Sequence, residues 1–236
     1  MDTQPNFLFI ITDQHRADHL GCYGNQIVKT PNIDRLALSG TRFENFYVAT
    51  PICMPNRATL MTGRMPSLHG ARQNGIPLSL NATTFVEIMR AAGYDTALIG
   101  KCHLQSISGN PPTIGMPEPD PNKIQPPAHL READRTWPNH GRYDQELRST
   151  WQNDPQFELT LPYYGFSQVD LAVGHGDEIV GHYYRWLKQR HADPDSLRGA
   201  KTNCQATATP RRKLGARGFP NSFIRPPTSP SARSNF

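Results

Sequence analysis

Residues 203–236 contain no aspartate and no glutamate, although Arg211, Arg212, Lys213, Arg217, Arg225 and Arg233 all lie there. The net charge of +5 over 236 residues therefore belongs to this segment. Without its six bases, residues 1–202 hold 19 basic against 20 acidic groups, a net charge of −1. A nearly neutral body excludes a nucleic-acid partner as the meaning of the basic isoelectric point. Long hydrophobic runs are missing too. The apolar stretch 7–11 is too short for a signal-peptide core, and residues 1–6 lack a basic leader, so no export signal is expected. No segment approaches the roughly 20 apolar residues that span a bilayer. Cysteine is scarce: four residues with no paired spacing exclude a disulfide framework and fit a reducing compartment. No internal repeat is present. These absences predict a soluble, cytoplasmic protein with no membrane partner, long enough for one domain or two small ones.

What is present reads as alternating strands and helices. Asn6-Phe7-Leu8-Phe9-Ile10-Ile11-Thr12 is a continuous apolar run, the pattern of a strand buried on both faces. It delivers Asp13 and Gln14 at its carboxyl end, where open α/β sheets place ligands. Residues 30–37 predict a capped helix with Pro31 in its first turn and Gly40 as its stop. Residues 41–49, with Phe43, Phe46, Tyr47 and Val48, predict a strand. A helix is expected over about 55–62 and another over 83–93, opened by threonine and ended by Gly93. Residues 95–100 then predict a buried strand ending at Lys101-Cys102-His103. This order argues for an α/β fold with a largely parallel sheet. Residues 110–139, rich in proline, read as a surface excursion. Residues 165–173 return as a strand, and 177–191 predict a helix.

The most informative stretch is Cys53-Met54-Pro55-Asn56-Arg57, followed by Leu60, Thr62, Gly63 and Arg64. Pro55 suits a first helical turn, where its missing N–H costs nothing. Cys53 then sits at a helix N-terminus, where the dipole and unpaired N–H groups favour a thiolate or an anion. A buried cysteine in an ordinary helix is the bland alternative. Arg57 lies one turn on, within reach of position 53.

The string C-x-P-x-R, followed by L-x-T-G-R, resembles the signature of type I sulfatases. Asn56 departs from the small residue common there. Gly100-Lys101-Cys102-His103-Leu104 resembles the family's G-K-x-H-L element, and Asp13-Gln14 resembles its metal-binding strand end. The resemblance runs from about residue 6 to 201. It implies an alkaline-phosphatase-like α/β sandwich and hydrolysis of a small sulfuric ester. It implies that a formylglycine-generating enzyme converts Cys53 to formylglycine, the hydrated aldehyde being the nucleophile. Asp13, Gln14 and residue 53 would hold a divalent metal, Ca²⁺ before Mn²⁺ or Mg²⁺. Arg57 would hold the hydrate, Lys101 a sulfate oxygen, and His103 would exchange a proton with the nucleophile. Asn74 reads as a turn residue or a substrate-side contact. His175 and His182, two helical turns apart, are too far apart for one metal, and His69 is not a ligand candidate.

The family also places further ligands downstream that this sequence does not present, so weak or absent turnover is expected of the chain as given. Residues 1–202 thus read as the N-terminal part of a sulfatase catalytic domain. The segment 203–236, with five prolines and no periodicity, reads as disordered or frame-shifted. Codons can be chosen for residues 219–236 so that a shifted frame resembles downstream family sequence. Two alternatives stand beside the sulfatase reading: a phosphodiester or phosphonate ester hydrolase of the same fold, and a non-catalytic fragment.

Overall fold

The computed structural model describes residues 4–109, 121, 122, 124 and 141–198. The tail 203–236 and nearly all of the excursion 110–139 lie outside the described residues. The chain divides into two compact units, Met1–Tyr47 and Val48–Phe236.

In the first unit, 3₁₀ turns at Ala17–His19 and Gly21–Tyr23 lead to helix α1, Pro31–Ser39. Proline at its start and Gly40 after its end set its limits. Asp34 ties the turns to this helix, accepting from Cys22 N–H at 2.7 Å and from the Thr30 hydroxyl at 2.9 Å. The two strands expected here, over 6–12 and 41–49, do not form. Phe7, Leu8, Phe43, Phe46 and Tyr47 are exposed instead. Aromatic and β-branched composition makes a strand only where another strand takes its N–H and C=O groups, and the described residues of this unit contain no strand.

The second unit carries helices α2 (Cys53–Thr62), α3 (Pro66–His69), α4 (Phe85–Ala91), α5 (Arg148–Asn153) and α6 (His182–Arg190). Its strands are β1 (Ala97–Gly100), β2 (Gln168–Val173) and β3 (Val180–Gly181). They form one sheet in the order β1-β2-β3. β1 and β2 are parallel, pairing Ala97 with Gln168 and Gly100 with Leu171, and β3 runs antiparallel to β2. The α/β class expected from the sequence is thus borne out as a small, mixed and incomplete sheet. β1 differs from the buried strand expected there. It stands at one end of the sheet and leaves Ile99 71% exposed, so it alternates like a strand with one wet face.

The helix expected from 177 begins only at His182. Gly181 has φ +90°, and a Cβ there would meet the Leu171 carbonyl oxygen at 2.5 Å. That close approach, with Val180 paired to Val173, makes a short strand where a helix was expected.

The core joins α2, α4 and the sheet through Ala58, Met61, Val86, Leu171 and Val173, with Trp151, Phe157, Tyr163 and Tyr164 as its aromatic mass. Thr84 pins α4 into it. Its hydroxyl accepts from Glu87 N–H at 3.1 Å as the N-cap and donates to the Tyr164 carbonyl at 2.7 Å. The Thr84 hydroxyl is fully buried, so it cannot turn to water in place of these partners. Thr84→Val keeps the shape and removes both bonds. It is expected to cost about 2 kcal/mol in urea unfolding, against under about 1 kcal/mol for Thr84→Ser.

Candidate active site

Cys53 is the first residue of α2, after Ile52 in the extended N-cap conformation. Isoleucine has no side-chain acceptor for the helix start, and Asn74 supplies one from elsewhere. Its Oδ1 accepts the Met54 N–H at 3.1 Å. Asn74 therefore stands beside the cysteine as the helix cap, and its amide oxygen is already engaged there. Gly63, at φ +66°, closes the far end by donating its N–H to the Thr59 carbonyl at 2.8 Å.

Arg57 projects from α2 toward the end of β1. Its Nη1 donates to the Lys101 carbonyl oxygen at 2.9 Å. This bond joins the cysteine helix to the Lys101–His103 loop across 44 positions of sequence. The Lys101 ammonium in turn lies 2.7 Å from Nε2 of His175. Lys101 follows β1 and His175 follows β2, so both emerge at the carboxyl ends of parallel strands. The His175 ring meets the His103 ring edge-on, with centroids 6.0 Å apart.

His103 itself is buried and holds φ +59°, a conformation non-glycine residues avoid. A carboxylate holds it there. Glu146 accepts from His103 N–H at 2.5 Å through Oε2, and through Oε1 from Leu104 N–H, Gln105 N–H and the Tyr163 hydroxyl at 2.9, 3.0 and 2.8 Å. Burial pushes the Glu146 carboxyl up. The Tyr163 hydroxyl and the backbone N–H groups of Gln105, His103 and Leu104 offset this only in part, so the carboxyl stays above its ordinary value. Each of these backbone groups can only donate, so the geometry is built for a carboxylate. The Cys102 thiol between Lys101 and His103 is pushed well up, first by burial and then by Glu146, and stays a protonated, inert thiol. Cys53, half-buried at a helix start, is the accessible one of the two.

Asp13 and Gln14 belong to the first unit, where Gln14 has φ +54°. By themselves they offer a carboxylate and an amide, short of the roughly six to eight oxygens of a calcium shell. Among the described residues, no three of His, Cys, Asp and Glu gather where they could hold a metal ion. His182 accepts the Leu171 N–H at 2.9 Å through Nδ1, apart from His175. His69 bonds the Thr59 hydroxyl at 3.1 Å and accepts the Ala71 N–H at 3.2 Å, a packing role. Sequence reasoning missed Glu146 and the tie between His175 and Lys101. His175 carried a legible signal, since it follows a predicted strand just as Lys101 does. Glu146 carried none, because its backbone partners lie 41 to 43 residues away and Tyr163 lies 17 away.

The family model described as Sulfatase matches residues 5–151, more than half of the chain and all of the Cys53–Arg64 and Lys101–His103 segments. The chain belongs to the sulfatase family. An N-acetylglucosamine-6-O-sulfatase of Bacteroides thetaiotaomicron is 39% identical over 103 residues, covering 44% of this chain and 18% of that protein. A steryl-sulfatase of Rattus norvegicus is 42% identical over 113 residues, covering 42% of this chain and 19% of that protein. The chain thus spans about a fifth of the length of these curated relatives. Among solved structures, the phosphonate monoester hydrolase of Agrobacterium radiobacter matches 84% of this chain and 31% of its own, with 27% identity and a TM-score of 0.48.

Two outcomes follow for this sulfatase-family chain. Glu146→Gln places an amide N–H₂ against donors that need an acceptor. It is expected to cost roughly 3 kcal/mol in urea unfolding and to speed amide exchange at residues 103–105. His69 gives a pH dependence. Its folded-state pKa lies below the ordinary 6.5, chiefly through burial, so the unfolded chain binds the extra proton first. The contribution of neutral His69 is complete above that ordinary value. It is lost as pH falls from there through the lowered folded value. Thermal melts should show this decline between those limits, and His69→Gln should flatten it.

Proposed function

We propose that this chain carries the nucleophile and part of the anion-binding machinery of a sulfuric ester hydrolase. The observation that carries the reading is the Arg57–Lys101 bond, which joins the Cys53 helix start to the charged end of β1. Two cations and a helix N-terminus then serve one region, where an ester sulfate would bring its charged oxygens. Arg57 holds the loop through the Lys101 carbonyl and contributes charge. Lys101 meets a sulfate oxygen with its ammonium. His103, braced by Glu146, is the proton-exchanging group behind them.

Position 53 suits conversion to formylglycine, being half-buried and therefore reachable, at the first residue of a helix. Formylglycine there supplies an aldehyde hydrate whose two hydroxyls serve attack and release. The oxygen chemistry of Asp13 and Gln14 suits a hard cation such as Ca²⁺. The named relatives act on an N-acetylglucosamine 6-O-sulfate and on steryl sulfate, and the same bond class, the sulfate ester of an alcohol, is the proposed substrate here.

The test combines mass spectrometry of the Cys53 peptide, after co-expression with a formylglycine-generating enzyme, with sulfate release from an aryl sulfate ester. Expected are thiol-to-aldehyde conversion at Cys53 and weak release, which Lys101→Ala lowers by roughly 100-fold. An unmodified thiol with no release would defeat the reading. Faster hydrolysis of a phosphonate ester than of the sulfate would favour the phosphonate alternative.

A further inference from the structure

Lysine is a poor anion ligand unless something orders it. Its charge sits on a four-carbon stem with several rotatable bonds, and an ammonium at a strand end samples many positions in water. Stabilising a fixed anion requires a charge already in place. In this protein the Lys101 ammonium is 2.7 Å from His175 Nε2. An ammonium has only hydrogens to offer, so Nε2 is the acceptor and the neutral ring carries its proton on Nδ1.

We infer that His175 is a positioning residue for Lys101, holding the ammonium at the carboxyl ends of β1 and β2. The inference rests on the proposed role of Lys101 in sulfate binding, and it names the group that gives that lysine a defined place. Three features make His175 fit for this. Parallel pairing of Gly100 with Leu171 brings the two loops out at the same edge of the sheet. The His175 carbonyl accepts the Glu178 N–H at 3.1 Å, at the start of the 3₁₀ turn Gly176–Glu178, which fixes its backbone. Its ring rests edge-on against the buried ring of His103, which limits its rotation and links it to the loop that Glu146 braces. His175 is itself exposed, so replacing it leaves the core untouched.

The test reads the lysine directly in the full chain, by nitrogen NMR of the lysine ammonium groups, with Lys101 assigned by its loss in Lys101→Ala. Wild type and His175→Gln, whose amide oxygen can accept the same bond, are expected to show a slowly exchanging Lys101 ammonium. His175→Phe and His175→Ala, which remove the acceptor, are expected to exchange it at least ~tenfold faster. Equal exchange in wild type and in both acceptor-free variants would overturn the inference. Titration with inorganic sulfate separates this from the functional reading. If Lys101→Ala binds sulfate as tightly as wild type, the sulfate role of Lys101 fails, while the exchange data still decide the role of His175. Where wild type binds sulfate and Lys101→Ala does not, His175→Phe should weaken binding several-fold and His175→Gln should restore it.

Discussion

The buried carboxylate of Glu146 is the constraint from which the second unit is organised. A carboxylate taken out of water costs several kcal/mol unless donors surround it, and here the backbone of residues 103–105 and the Tyr163 hydroxyl do so. The chain accordingly bends to present three successive N–H groups, and the left-handed backbone of His103 is part of that bend. Once the bend is fixed, Lys101 and His103 have defined places relative to the sheet. Tyr163 is fixed as well, and with it the turn at Tyr164 and Gly165 that receives the Thr84 and Thr96 hydroxyls. One anion therefore links the candidate site to the aromatic core.

The site is a hierarchy of supports rather than a set of independent groups. Arg57 reaches across from α2 to the Lys101 carbonyl, His175 meets the Lys101 ammonium, and Glu146 secures the loop behind them. Charge at the strand end is thus held from three directions. This arrangement lies within the stretch that matches the sulfatase family, apart from His175.

The local parts of this arrangement were legible in the sequence, and the parts made by distant residues were not. The helix expected over about 55–62 forms as α2, starting two residues earlier at Cys53, and Thr84 with Gly93 marked the limits of α4, because caps and stops act within a few residues. Lys101 was placed correctly at a strand end because the run before it was short, apolar and followed by polar groups. The same logic failed for residues 6–12, an apolar run that does not take up strand structure. It also failed at residues 177–181, where Gly181 packs on the Leu171 carbonyl and turns an expected helix into β3. Glu146, between Gln145 and Leu147, belongs to none of the motifs read from the sequence. Only three-dimensional proximity shows that it braces the loop.

The cap on the cysteine helix has a consequence for how the site comes into being. Asn74 supplies the acceptor that Ile52 lacks, so the start of α2 is finished by a residue 20 positions downstream. A ten-residue segment with a proline in its first turn and no cap of its own is a weak helix in isolation. The bracing of Arg57 waits longer still, for a strand end 44 positions away. Such non-local contacts require the intervening loops to close, so the surroundings of Cys53 are complete only when those parts of the fold are in place. Until the Asn74 turn and the β1 end have docked, the thiol sits on a fraying segment, and only the finished fold gives it a fixed direction.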